Sequence, residues 1–160
     1  HLKNKESYRR IPLVEKEIID TSDVQVPSQF VIKSGRGAQR MTSGTIYSEG
    51  VRIVLTKETA NQMNGKWIEM YADIYLEGQN FNSSKNAQFI LEATHNGKRL
   101  FWQNLNFQIY AETGSWVRET WEYKSPVVLE AGDVISAYIW NKNSPDTIYL
   151  HKVGVSILSR

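Results

Sequence analysis

From residue 29 onward, apolar and polar positions alternate in short runs with a period close to two. In "KWIEMYADIYLEG" one stripe is Ile68, Met70, Ala72, Ile74 and Leu76, and the other is Trp67, Glu69, Tyr71, Asp73 and Tyr75. Successive strand side chains point to opposite faces, so this spacing predicts a strand with an aliphatic inner face and an aromatic–carboxylate outer face. "VISAYIWNK" repeats the pattern, with Ile135, Ala137 and Ile139 against Ser136, Tyr138 and Trp140. "RLFWQNLNFQIY" predicts Phe101, Leu105, Phe107 and Ile109 inward, with Trp102, Asn104, Asn106 and Gln108 outward. In "SWVRETWEYKS" the stripes are Trp116, Arg118, Thr120 and Glu122 against Val117, Glu119, Trp121 and Tyr123. Each carries a tryptophan, and the pattern alone leaves the inner face open.

Turn chemistry separates these runs at Asn64-Gly65, Glu77-Gly78, Asn96-Gly97, Thr113-Gly114, Gly132-Asp133 and Ser144-Pro145-Asp146. Asn96-Gly97 is the strongest hairpin signal, because both residues tolerate positive φ. No helix-period segment of useful length interrupts the strands. Short strands recurring at intervals of roughly 10 to 20 residues predict an all-β fold, a jelly-roll β-sandwich spanning residues 29–160. Residues 1–28 carry charge, Pro12 and Pro27, and no sustained period. They read as an N-terminal leader or linker, dispensable for folding, in which "LVEKEIID" fits one or two helical turns.

A chain of 160 residues is long enough to bury a core without staples. Having no cysteine excludes a disulfide framework, a thiolate metal site and a cysteine nucleophile. A start at His1 rather than Met is the start expected of a piece of something longer. No signal peptide or membrane-spanning run is evident, and no direct membrane insertion is expected. The formal charge is +2. The first ten residues hold four basic residues and one acid, +3, so the remainder sums to −1. A near-neutral body lacks the concentrated basic face of a nucleic-acid binder, and no nucleic-acid partner is expected.

Outward tryptophans set among asparagines and glutamines fit carbohydrate recognition. Sugar rings present apolar C–H faces to aromatic planes, and their hydroxyls need amide and carboxylate partners. Packing is the competing explanation for any single ring, since aromatics suit a pleated, half-buried surface. The candidate ligand residues are Trp102, Tyr138, Trp140, Trp67, Tyr71 and Trp121. Nothing marks an enzyme: there is no HExxH, GxSxG or phosphate loop, and "SGRG" at 34–37 reads as a turn. Glu69 and Asp73 share a strand face about 13 Å apart, too wide for a glycosidase pair, while Glu92 and Glu122 are a cross-strand pair that sequence cannot place. Asn82 opens an N-glycosylation sequon that reads as a polar loop. No cofactor is expected.

"GSWVRETWEYKSPVVLEAGDVISAYIWNKNSPDTIYLHKVGVSIL" resembles the galactose-binding-like jelly rolls, especially carbohydrate-binding modules of the family 4/9/16 type. The resemblance rests on Gly114 and Trp116, Val127 to Leu129, Tyr138 to Asn141 and Ile148 to Leu150, with "GKWIEMYADIYLEG" as an early strand, and covers residues 45–158. It implies a galactose-binding-domain-like fold and a non-catalytic module of a larger exported or membrane-tethered protein. The implied ligand is a poly- or oligosaccharide, and the implied location is extracellular or periplasmic. The alternative is a protein-interaction or architectural β-sandwich in a cell-envelope assembly, its aromatics packed on other domains of the parent protein. The chain departs from the family at His151 and Lys152, where an Asp-Asp pair is usual. Imidazole and ammonium are poor ligands for calcium, so no metal is expected at this strand. An oxygen-rich site elsewhere would involve Asp20 or Asp23. The Gly-Phe-Glu opening common in the family is also missing from "VIKSGRGAQRMTSGTIYSEG".

Overall fold

The computed structural model describes residues 2–20, 31–33, 36–42, 44–77, 87–107, 114–141 and 147–160. The Asn82 sequon, Asp23, Gln108, Ile109 and the turn at 144–146 lie outside the described residues.

After a single 3₁₀ turn at Lys5–Ser7, the strands are β1 (Arg9–Glu17), β2 (Val31–Lys33), β3 (Arg36–Gly37), β4 (Gln39–Met41) and β5 (Val51–Val54). A two-turn helix, α1 (Lys57–Met63), precedes β6 (Trp67–Glu77), β7 (Ala87–His95), β8 (Lys98–Asn106), β9 (Trp116–Tyr123), β10 (Val134–Asn141) and β11 (Thr147–Ser159). One sheet has the order β1-β11-β6-β9, with β4 also on β11; the other has the order β5-β10-β7-β8. All pairings in both sheets are antiparallel. The chain changes sheet at each step from β4 to β11 except the β7–β8 hairpin, which is the jelly-roll winding of two nested Greek keys. β2 and β3 form a separate small hairpin.

Alternation selects the core. Ile68, Met70, Ala72, Ile74 and Leu76 of β6 meet Phe89, Leu91 and Ala93 of β7 and Ile135, Ala137 and Ile139 of β10 in one cluster between the sheets. On β9 the inner stripe is the one holding Trp121, which is 4% exposed. Its ring stacks on Phe89 at 4.4 Å and meets Phe107 edge-on at 5.4 Å, and its indole N–H donates to the Asn106 carbonyl at 2.8 Å. Trp121 therefore pins β9 to the opposite sheet. It is not on a ligand surface, contrary to the sequence expectation.

The N-terminal stretch also differs from expectation. Residues 9–17 are not leader or helix but strand β1, paired along β11 from Ser159 to Lys152. The register shifts between Pro12 and Val14, and Ile11, Leu13 and Val14 all pack against the core. A bulge that turns adjacent residues inward destroys the period of two. Proline is tolerated because β1 is an edge strand, where one face of the backbone needs no ladder partner.

Two other segments depart from the sequence reading. The helix α1 is capped by Thr56, whose hydroxyl accepts from the Thr59 N–H, and it buries Ala60 and Met63. Val127 and Val128, two of the positions that carry the resemblance, are exposed in a loop, and only Leu129 of that trio is buried. Asn96-Gly97 does join β7 to β8, with φ of 49° and 80° respectively. Consecutive positive φ values are what a tight hairpin turn requires.

Candidate functional site

The six residues singled out from the sequence fall in three places. Trp121 is in the core. Trp67 and Tyr71 lie on the outer face of the five-stranded sheet, and Trp102, Tyr138 and Trp140 lie on the outer face of the four-stranded sheet. The structure brings together only this last group.

The five-stranded face is occupied by its own ion pairs. Glu69 and Glu122 stand directly opposite each other on β6 and β9, an arrangement that repels unless neutralised. Lys5 approaches Glu122 at 2.5 Å and Glu69 at 3.6 Å, and Arg10 grips Glu69 through two bonds of 2.5 and 3.1 Å. Arg118 pairs with Asp73 at 2.7 and 2.9 Å and lies 4.0 Å above the Tyr71 ring. The Tyr71 hydroxyl donates to Glu15. Gly154, opposite Tyr71, leaves room for the ring: a Cβ there would sit 2.2 Å from it. Trp67 is half-buried with Lys124 5.0 Å from its ring. These side chains hold the N-terminal segment and β1 onto the sheet.

On the four-stranded face, strand register sets out three rows. They read Trp140–Gln88–Asn106, Tyr138–Ile90–Asn104 and Arg52–Ser136–Glu92–Trp102. Phe89 and Leu91 point into the core, so Ile90 between them points outward, yet it is 0% exposed. What lies over it is aromatic: Trp102 and Trp140 meet edge-to-face at 5.3 Å across β7, from the strands on either side. Both rings are half-buried.

Polar groups around the rings are fixed by mutual bonds. Gln88 donates to Asn106 at 2.6 Å and accepts from Asn104 at 2.8 Å, so three amides form a short chain. The Trp102 indole N–H donates to the Tyr138 hydroxyl at 3.3 Å, and that hydroxyl donates to Glu92 at 2.9 Å. Arg99 completes the relay, 3.5 Å from Glu92 and 5.5 Å from the Trp102 ring centroid. Burial pushes the Tyr138 phenol up to about 12; the bond from Trp102 opposes this and the bond to Glu92 adds to it. Tyr138 therefore stays a neutral donor across the physiological range.

Tyr47 joins this face from outside the named strands. Ala137 faces Val51 whereas Trp140 faces Tyr47, so three steps on β10 match four on the neighbouring chain. The extra residue acts as a bulge, which re-aims a side chain. Tyr47 thereby meets Tyr138 edge-on at 5.8 Å and remains 57% exposed. Gly50 permits the close approach, since a Cβ there would lie 2.0 Å from the Ala137 carbonyl oxygen. Tyr47, Ser48, Gly50, Val51, Arg52, Ala137 and Tyr138 line a pocket of about 300 Å³ at this edge. Sequence reasoning missed Gln88 and weighed Glu92 only as a catalytic carboxylate, although the alternation of "NAQFILEATH" places both on the outer face; it missed Tyr47 because the bulge breaks the phase.

Chemically, the face offers ring surfaces, amide donors and acceptors, and the phenols of Tyr138 and Tyr47. Glu92 and Glu122 stand on outer faces of opposite sheets and are not an acid–base pair. His95 is held to Asp133 at 2.6 Å and His151 to Glu17 at 3.0 Å. Among the described residues no group of three or more His, Asp or Glu is placed to hold a metal ion, and no helix is long and apolar enough to cross a membrane.

No family model and no curated protein matches the chain. Among solved structures it is similar to the CBM22-1 xylan-binding domain of Xyn10C from Paenibacillus barcinonensis, at 12% identity and a TM-score of 0.46, covering 96% of this chain and 86% of that one. It is also similar to the CBM22-1–GH10 modules of the endo-1,4-beta-D-xylanase Xyn10B from Clostridium thermocellum complexed with xylohexaose, at 12% identity and a TM-score of 0.36, covering 98% of this chain and 27% of that one. The Eiger TNF of S. frugiperda is similar at 14% identity and a TM-score of 0.33, covering 95% and 90% respectively. The two modules are of family 22, not of the 4/9/16 type that the sequence resembles.

Proposed function

We propose that the domain is a non-catalytic carbohydrate-binding module whose ligand lies across the outer face of the four-stranded sheet. The carrying observation is the half-exposed Trp102–Trp140 pair beside the bonded amides Gln88, Asn104 and Asn106. Ring surface supplies contact for sugar C–H faces, and amides and phenol already held by neighbours lose little freedom on meeting hydroxyls. Such a ligand places the parent protein where polysaccharide is, outside the cytoplasm.

The test is binding to a panel of soluble polysaccharides by affinity electrophoresis, with Trp140→Ala and Trp102→Ala alongside. Retention by at least one polysaccharide that either substitution abolishes, with both variants still folded, supports the reading. Unchanged retention in both variants, or none of any glycan by the parent chain, contradicts it.

A further inference from the structure

Resting on that reading, we infer that the pocket at the β5–β10 edge is a subsite for a carboxylate-bearing sugar, a uronic acid, within an otherwise neutral glycan. The arginines beside Trp102 and Tyr71 have carboxylate partners: Arg99 is with Glu92, and Arg118 with Asp73. Arg52 differs. It is exposed, it lines the pocket, and no described residue pairs with or hydrogen-bonds its guanidinium. Glu92, in the same row, is two strands away, about 10 Å by strand spacing, and is taken by Tyr138 and Arg99. Glu49, in the adjoining loop, is exposed and forms no ion pair with Arg52 among the described residues.

Tyr47 gives the pocket its second donor. Its ring wall is fixed against Tyr138, while its hydroxyl has no partner among the described residues. The other pocket hydroxyls are committed, Tyr138 to Glu92 and Ser48 to the Glu49 carbonyl and the Ile139 N–H. A planar guanidinium fork and a phenol beside an aromatic wall match a carboxylate on a sugar ring, since the fork binds both carboxylate oxygens at once. The volume is at the small end for ligand pockets, which suits one sugar unit. The two rows that carry the amides, Trp140–Gln88–Asn106 and Tyr138–Ile90–Asn104, include no cation, so the acidic unit belongs at this edge.

The experiment compares two polymers, a neutral-backbone polysaccharide bearing uronic acid side groups and the same polysaccharide with its carboxyls reduced to primary alcohols. Calorimetry at low salt should show about tenfold tighter binding to the acidic form, as expected of charge-assisted hydrogen bonds. Arg52→Gln should bring the two affinities together, and Arg52→Lys should recover only part of the difference. Equal affinity of the parent chain for both polymers, or a preference that survives Arg52→Gln, overturns the acidic subsite while Trp140-dependent binding stands. Binding of neither polymer by a chain that retains another polysaccharide of the panel overturns the acidic subsite alone; retention of no glycan at all overturns it together with the functional reading.

Discussion

Trp121 and Trp140 are indistinguishable as letters in alternating strands, and the structure separates them by what lies on each side of the ring. Trp121 is enclosed between Phe89 and Phe107, so Trp121→Ala should cost about 3–5 kcal/mol in denaturant unfolding. Trp140 is half-buried rather than enclosed, so Trp140→Ala should cost about 1–2 kcal/mol. Equal losses would mean that the four-stranded face is covered in solution. Tyr138 offers a spectroscopic check. Its pKa is raised to about 12 from 10, so the folded state holds the proton more tightly than the unfolded chain. Its contribution to stability is complete below pH 10 and is lost as pH rises toward 12. Tyrosinate absorbance should therefore show a late-titrating phenol that disappears in Tyr138→Phe; titration of every tyrosine near 10 would contradict the relay with Trp102 and Glu92.

At the scale of elements, the strands that sequence shows clearly are β6, β7 and β10, whose own alternation is unbroken, and the part of β8 from Phe101 onward, beyond its register shift at Leu100. Their stripes follow from period two, and the β7–β8 pairing follows from the Asn96-Gly97 turn. β1 and the stretch around Tyr47 are illegible for one shared reason: a bulge inserts a residue, and the alternation on either side then contradicts itself. The phase of β9 was open because both stripes carry a tryptophan, and only the sheet opposite decides it. Deleting residues 1–17 removes Ile11, Leu13 and Val14 from the core edge and strips Lys5 and Arg10 from Glu69 and Glu122, leaving two like charges directly opposite each other on β6 and β9. The unfolding midpoint should fall by more than about 10 °C; an unchanged midpoint would mean that β1 is a detachable leader after all. Gly50→Ala should lower stability by about 2 kcal/mol, because its Cβ meets the Ala137 carbonyl, and it should weaken glycan binding by displacing Tyr47. Full binding by a folded Gly50→Ala domain would detach Tyr47 from the site.

For the whole molecule, the two outer faces do different work. The five-stranded face is spent on ion pairs that fasten the N-terminal segment, and the four-stranded face keeps half-buried rings beside the exposed amides of Asn104 and Asn106. That division was only half legible. Alternation shows that aromatic stripes lie outside the core, but which stripes share a face depends on how a jelly roll deals its strands between two sheets. The chain's five tryptophans report the division directly. Titrating a bound oligosaccharide into the labelled domain should shift the indole N–H resonances of Trp102 and Trp140 and leave those of Trp67, Trp116 and Trp121 in place. Shifts at Trp67 or Trp116 with Trp102 and Trp140 unmoved would put the ligand on the other sheet and contradict the account.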